Sequence, residues 1–197
     1  MGDGMAGIAT VAVFCGASAG HDPRHGDAAE AMGNALARAG MRVVYGGGRV
    51  GLMGRLADGA LAAGGHVIGV IPEFLRAREL AHSGIAEMIV TDSMHVRKAR
   101  MVALSDAFVS LPGGLGTLDE TIEVITWRQL GLHDKPIILC DVAGSARALL
   151  GVVDAAIGMG FAQDSARALF TLVDGVEETM ALLARLPRPA QADAGRV

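Results

Sequence analysis

The chain has 197 residues, enough for one domain with its own core, and 51% hydrophobic against 19% charged residues excludes a disordered polymer. Its net charge of −4 comes from 17 basic and 21 acidic residues without a basic block, and there is only one Trp and one Tyr. Nucleic acid therefore finds neither a phosphate-tracking stripe nor a stacking platform, and it is not an expected partner.

Apolar stretches are broken by Gly, Asp or Arg well short of the roughly 18 residues that a membrane span needs. Met1–Gly7 lacks the basic start and apolar stretch of a signal peptide. A cytoplasmic protein without membrane contact is expected. Cys15 and Cys140 each end an apolar run and read as buried thiols, and the six His are scattered without metal-ligand spacing, so no metal site is expected.

In chain order the pattern predicts a strand at about 9–15, a helix at 24–39, a strand at 42–45 and a helix at 51–63. Strands follow at 66–71 and 86–90, then a helix at 93–104, a strand at 106–110 and a helix at 117–131. The series closes with a strand at 136–140, a helix at 145–158, a strand at 169–173 and a helix at 175–185. Strands alternating with helical patterns, several of them apolar throughout, imply a sheet covered on both faces. The fold class expected is α/β: a doubly wound, mostly parallel, Rossmann-like sheet in a single domain. Residues 9–186 form that domain in this reading, with flexible ends at 1–8 and 187–197.

Ligands of such sheets bind beyond the carboxyl ends of the strands. Three strands end there in glycine-rich turns: Cys15-Gly16-Ala17-Ser18-Ala19-Gly20, Gly46-Gly47-Gly48-Arg49-Val50-Gly51, and Pro112 to Thr117. Side by side they would line one crevice for a nucleotide-sized ligand, with Ser18, Gly46, Gly47 and Gly48 among its contacts. Gly46, Gly48 and Gly51 also fit the dinucleotide fingerprint. The acid that should follow to hold the ribose hydroxyls is not clearly placed; Glu73 is the nearest. Near 113–117, unpaired amides of a helix start would attract a phosphate, and glycine would let the backbone approach it.

Glu120 has two readings. Thr117 and Glu120 fit a capping box, in which Glu120 merely closes the helix start. Alternatively, an acid beside a phosphate site does chemistry. Arg97 bears on the choice, because Met94, Arg97, Met101 and Leu104 share one helical stripe. A cation in an apolar row needs an anion, and Glu120 or a bound phosphate would serve. Lys98, next to it, is placed to reach a phosphate.

Met94-His95-Val96-Arg97-Lys98 followed by Pro112-Gly113-Gly114-Leu115-Gly116-Thr117-Leu118-Asp119-Glu120 resembles the LOG ("Lonely guy") family. Its members are cytokinin riboside 5′-monophosphate phosphoribohydrolases, long mislabelled as lysine decarboxylases. Gly46-Gly47-Gly48 continuing to Gly51-Leu52-Met53-Gly54 resembles the family's other glycine signature, and the likeness extends over about residues 9–185. It implies a homodimer that cleaves the N-glycosidic bond of a nucleoside 5′-monophosphate, AMP or an N6-modified one, with no cofactor. It also implies that Arg97 and Glu120 are the catalytic pair. Lys98 and the backbone of Gly113, Gly114, Leu115, Gly116 and Thr117 would then bind phosphate and sugar, with Glu79 and Thr126 as further substrate contacts. Two departures stand out: Asp119, where the family more often has Glu, and Glu73, where Lys is common.

The expected mechanism has Glu120 stabilising an oxocarbenium-like state and activating water, with Arg97 orienting it. The rival readings are a non-catalytic nucleotide-binding module, a dinucleotide oxidoreductase and a pyridoxal-phosphate decarboxylase. The last would have to use Lys98, because Lys135, the other lysine of the chain, precedes Pro136 at a strand start, the wrong end of the sheet.

Overall fold

The structure, a computed structural model, describes residues 7–76 and 81–189. Seven parallel strands form its sheet: β1 (Thr10–Phe14), β2 (Arg42–Tyr45), β3 (Val67–Pro72), β4 (Glu87–Thr91), β5 (Ala107–Ser110), β6 (Ile137–Asp141) and β7 (Thr171–Asp174). The helices are α1 (Pro23–Arg38), α2 (Gly51–Ala62), the single turn α3 (Glu73–Arg76), α4 (Met94–Leu104), α5 (Leu115–Gln129), α6 (Arg147–Gly158) and α7 (Gly175–Leu183). A 3₁₀ turn at Asp164–Leu169 and the short α3 are the elements the sequence pattern does not announce.

Strand order is β4-β3-β2-β1-β5-β6-β7, with β1 paired to β2 on one side and β5 on the other. Alternation along β1 divides the core. Val11 and Val13 join Met32, Leu36, Leu56 and Leu183 on the face covered by α1, α2 and α7. Ala12 and Phe14 join Met101, Val102, Val124 and Leu149 under α4, α5 and α6. Burial on both faces explains why the central strands are apolar throughout. At the edges, β4 and β7 are partly exposed. No helix among the described residues is long and apolar enough to cross a membrane.

Residues 1–6 and 190–197 of the expected flexible ends lie outside the described residues. The inner parts of those ends are packed rather than loose. Gly7 bridges Pro187, Ile8 is buried, and the Asp106 carboxylate accepts from the amides of Ala9 and Thr10 and from Arg188 Nε. One partly buried carboxylate thereby ties the first strand to the chain's last described segment.

Helix α5 starts two residues earlier than the pattern suggests, at Leu115, with extended Gly114 as its N-cap. Thr117 and Glu120 consequently lie inside the helix, and the capping box is not formed. Gly114, the N-cap residue, supplies no side-chain acceptor to the first amides of α5.

Candidate active site

The chain leaves β1 toward one face of the sheet and β5 toward the other. Between them opens the crevice expected at such a switch point. Gly16 links all three glycine-rich turns there. Its N–H donates to Pro112 O at 3.0 Å, while its carbonyl accepts from Leu52 N at 3.0 Å and Met53 N at 3.2 Å. A cavity of about 740 Å³ results, which Ser18, Gly46, Gly113, Gly114, Gly116 and Thr117 help to line. Arg97 and Glu120 also reach its wall.

Arg97 is held by α4 and is 6% exposed; Glu120 is 8% exposed on α5. Arg97 Nη1 lies 3.1 Å from Glu120 Oε1. The same guanidinium donates from Nε to Val70 O at 2.9 Å and from Nη2 to Gly46 O at 3.5 Å. Ends of β2 and β3 thus anchor the cation, and the cation fixes the carboxylate. Gly46 is glycine for a steric reason: a Cβ there would run into Arg97 Nη2 and Met53 Sδ. Gly113 has the same constraint, because a Cβ would collide with the Thr117 side chain packed against it. Removing one partner from a buried ion pair costs about 3–5 kcal/mol, so Arg97 and Glu120 are committed to each other.

Several expected contacts lie elsewhere. Lys98 does not line the cavity; its Nζ sits 3.2 Å from Asp119 Oδ2 and 2.9 Å from Glu123 Oε1. The physical reason is rotation along α4, where consecutive residues point about 100° apart. Leu115 is 85% exposed at the outer side of the first turn of α5. Thr126 faces solvent and returns its hydroxyl to Ile122 O at 2.8 Å. Gly47 and Gly48 stand behind the cavity wall, Gly47 accepting from His82 N and Gly48 bridged to Ala81. Glu73 pairs with Arg76 beyond β3. Glu79 lies outside the described residues.

Other wall residues escaped the sequence reading. His21, Asp22 and His25 reach the cavity from the start of α1. Their signal was there in Asp22-Pro23, an N-cap followed by a helix-opening proline. Asp22 is held down to about 2, mainly by the side-chain hydrogen bonds from Arg24. Ser145 arrives on the turn after β6, where Ala143 takes an unusual positive φ of 58°. Cys15 also lines the cavity, but burial, with Glu120's charge adding, pushes its thiol far up. A neutral thiol of that kind is a poor nucleophile.

Residues 53–183 match the family described as "Possible lysine decarboxylase". A cytokinin riboside 5′-monophosphate phosphoribohydrolase of Rhodococcoides fascians is 47% identical over 175 residues, covering 88% of each chain. Another, from Arabidopsis thaliana, is 45% identical over 168 residues, covering 85% of this chain and 79% of its own length. Among solved structures, a molybdenum cofactor binding protein from Rippkaea orientalis superposes with a TM-score of 0.67 at 22% identity, covering 89% of this chain and 95% of that one. At that identity the likeness concerns the fold alone. The cavity, its Arg97–Glu120 pair and its uncapped helix thus occur in a chain that belongs to the LOG family of cytokinin riboside 5′-monophosphate phosphoribohydrolases.

Proposed function

We propose that this protein hydrolyses the N-glycosidic bond of a nucleoside 5′-monophosphate, releasing the free base and ribose 5-phosphate. The observation that carries this reading is the buried Arg97–Glu120 pair in the wall of a nucleotide-sized cavity, with Glu120 on the helix whose N-cap, Gly114, has no side chain to cap its first amides. The substrate phosphate binds the first turn of α5, attracted by its amides and dipole. Glu120, about one helical turn further along, then faces the sugar. As the bond from the anomeric carbon to the base nitrogen breaks, its electron pair leaves with the base. The carboxylate offsets the positive charge that develops on the sugar and takes a proton from the attacking water. Arg97 positions that carboxylate. The departing base takes a proton from solvent water and Glu120 returns the one it accepted to solvent, so that one water is consumed for each bond broken.

Lysine chemistry has poor support. Lys98 is engaged by two carboxylates, and Lys135 is buried with Nζ donating to Val102 O at 2.7 Å. Neither lysine lines the cavity.

The finer reading is a cytoplasmic homodimer acting on AMP or an N6-substituted analogue through one catalytic domain, residues 9–186. Val96, Leu115 and Ile122, exposed by 47%, 85% and 40% on α4 and α5, are apolar side chains that a second copy would cover on the two helices carrying Arg97 and Glu120. The phosphate role is tested by comparing AMP with adenosine as substrates. AMP should be cleaved at least about 100-fold more efficiently, because binding energy from the remote phosphate holds the sugar in place. Equal rates would remove the phosphate from the mechanism. Tight AMP binding without release of adenine would favour a non-catalytic nucleotide-binding module.

A further inference from the structure

Two sets of ion pairs join α4 to α5 side by side. Arg97 meets Glu120 at 3.1 Å, and Lys98 meets Asp119 at 3.2 Å and Glu123 at 2.9 Å. Lys98 contacts α5 on both sides of Glu120 in sequence, so it clasps the turn that carries the acid. Its side chain is 15% exposed and that of Glu123 22%, so this pair is more than a loose surface contact, while Asp119, at 59%, meets Lys98 from the surface. Asp119, Glu120 and Glu123 put three acids within five residues of α5: Arg97 pairs with Glu120, and Lys98 pairs with the other two. Without Lys98, the charges of Asp119 and Glu123, next to Glu120 on the same helix, would lose their counter-charge and repel it. They would also add uncompensated negative potential to a helix that must receive a phosphate.

We propose that Lys98 is a positioning residue for the Arg97–Glu120 pair and not a phosphate ligand. The proposal rests on the phosphoribohydrolase reading for its kinetic arm only. Lys98 neutralises the two flanking acids, sets the approach of α4 to α5, and leaves Glu120 as the one acid of the three that Arg97 holds.

The test compares the full-length protein with Lys98→Met, Lys98→Arg, the double variant Asp119→Asn/Glu123→Gln, and Lys98→Met combined with that double variant. With AMP as substrate, Lys98→Met should lower kcat about tenfold while KM and inhibition by ribose 5-phosphate stay within about twofold. Lys98→Arg should restore most of kcat. The combined variant should be no slower than Lys98→Met alone, since the acids that Lys98 restrains are gone. A phosphate ligand would behave differently: Lys98→Met would raise KM and weaken ribose 5-phosphate inhibition with kcat kept, and that result overturns the proposal. A second readout does not need turnover. The Arg97 Nε–H, buried and bonded to Val70 O, should exchange with solvent faster in Lys98→Met and recover in Lys98→Arg when followed by NMR. Unchanged exchange would overturn the proposal even if no nucleotide were cleaved; a wild type that cleaves none would overturn the hydrolase reading separately.

Discussion

Arg97 is occupied on every side by its own protein: Val70 O, Gly46 O, Met94 Sδ and Glu120 each face one of its nitrogens. Such a guanidinium orients a neighbour better than it grips a ligand. Truncating it would leave Glu120 buried without that cation and two strand-end carbonyls without their donor. Arg97→Ala is therefore expected to cost about 3–5 kcal/mol of stability, in addition to its effect on turnover. Urea unfolding measures the loss; a variant as stable as wild type would mean the pair is not buried as described. Lys98 shows how much one step along a helix changes. Its partners are on the same helix as Arg97's, yet it reaches the outer acids, Asp119 and Glu123.

At the scale of elements, the start of α5 decides the chemistry. Extended Gly114 serves as its N-cap without supplying a side-chain acceptor, and the helix then begins at Leu115. Its amides are thereby offered to a ligand rather than satisfied internally. The far end of the same region is held by His133, which follows α5 and precedes β6. Its Nε2 donates to Val124 O at 2.9 Å while Nδ1 accepts from Lys135 N at 3.2 Å, an arrangement only the neutral ring can make. Burial, the largest influence, lowers its pKa from the ordinary 6.5. The unfolded chain thus binds the proton more readily than the folded one. Stability from this group is complete above about pH 6.5 and is lost as pH falls from there through the lowered folded value. Urea midpoints should decline from pH 7 toward pH 5, and His133→Asn should flatten that part of the decline. An unaltered slope in the variant would assign the acid sensitivity to other groups.

For the whole molecule, the sheet, its two covered faces and the crevice were readable because each rests on local pattern. Apolar strands, helical stripes and strand-end glycines such as Gly16, Gly46 and Gly113 carry their meaning in a few neighbouring residues. The pairing of Arg97 with Glu120 was also within reach, since a cation in an apolar stripe must find an anion. What failed needed three dimensions. Thr117-x-x-Glu120 spells a capping box, but the glycines before it allow the helix to begin two residues sooner. Thr126 is exposed on α5 with its hydroxyl turned to Ile122 O, and Gly47 and Gly48 are joined to His82 and Ala81, partners that the local pattern does not name. His25 and Ser145 line the same cavity from the start of α1 and the turn after β6, a convergence that no short motif encodes.

Glu120 is the residue on which the proposed chemistry depends, so wild type and Glu120→Gln should be compared at saturating AMP, with adenine and ribose 5-phosphate quantified together by chromatography. Wild type is expected to form the two products in equal amounts. The variant should keep nucleotide binding and lose at least about 10³-fold in turnover, since the amide can neither take the water's proton nor offset the sugar's positive charge. Wild-type turnover retained in a folded Glu120→Gln protein would contradict the assignment and leave Glu120 a structural partner of Arg97.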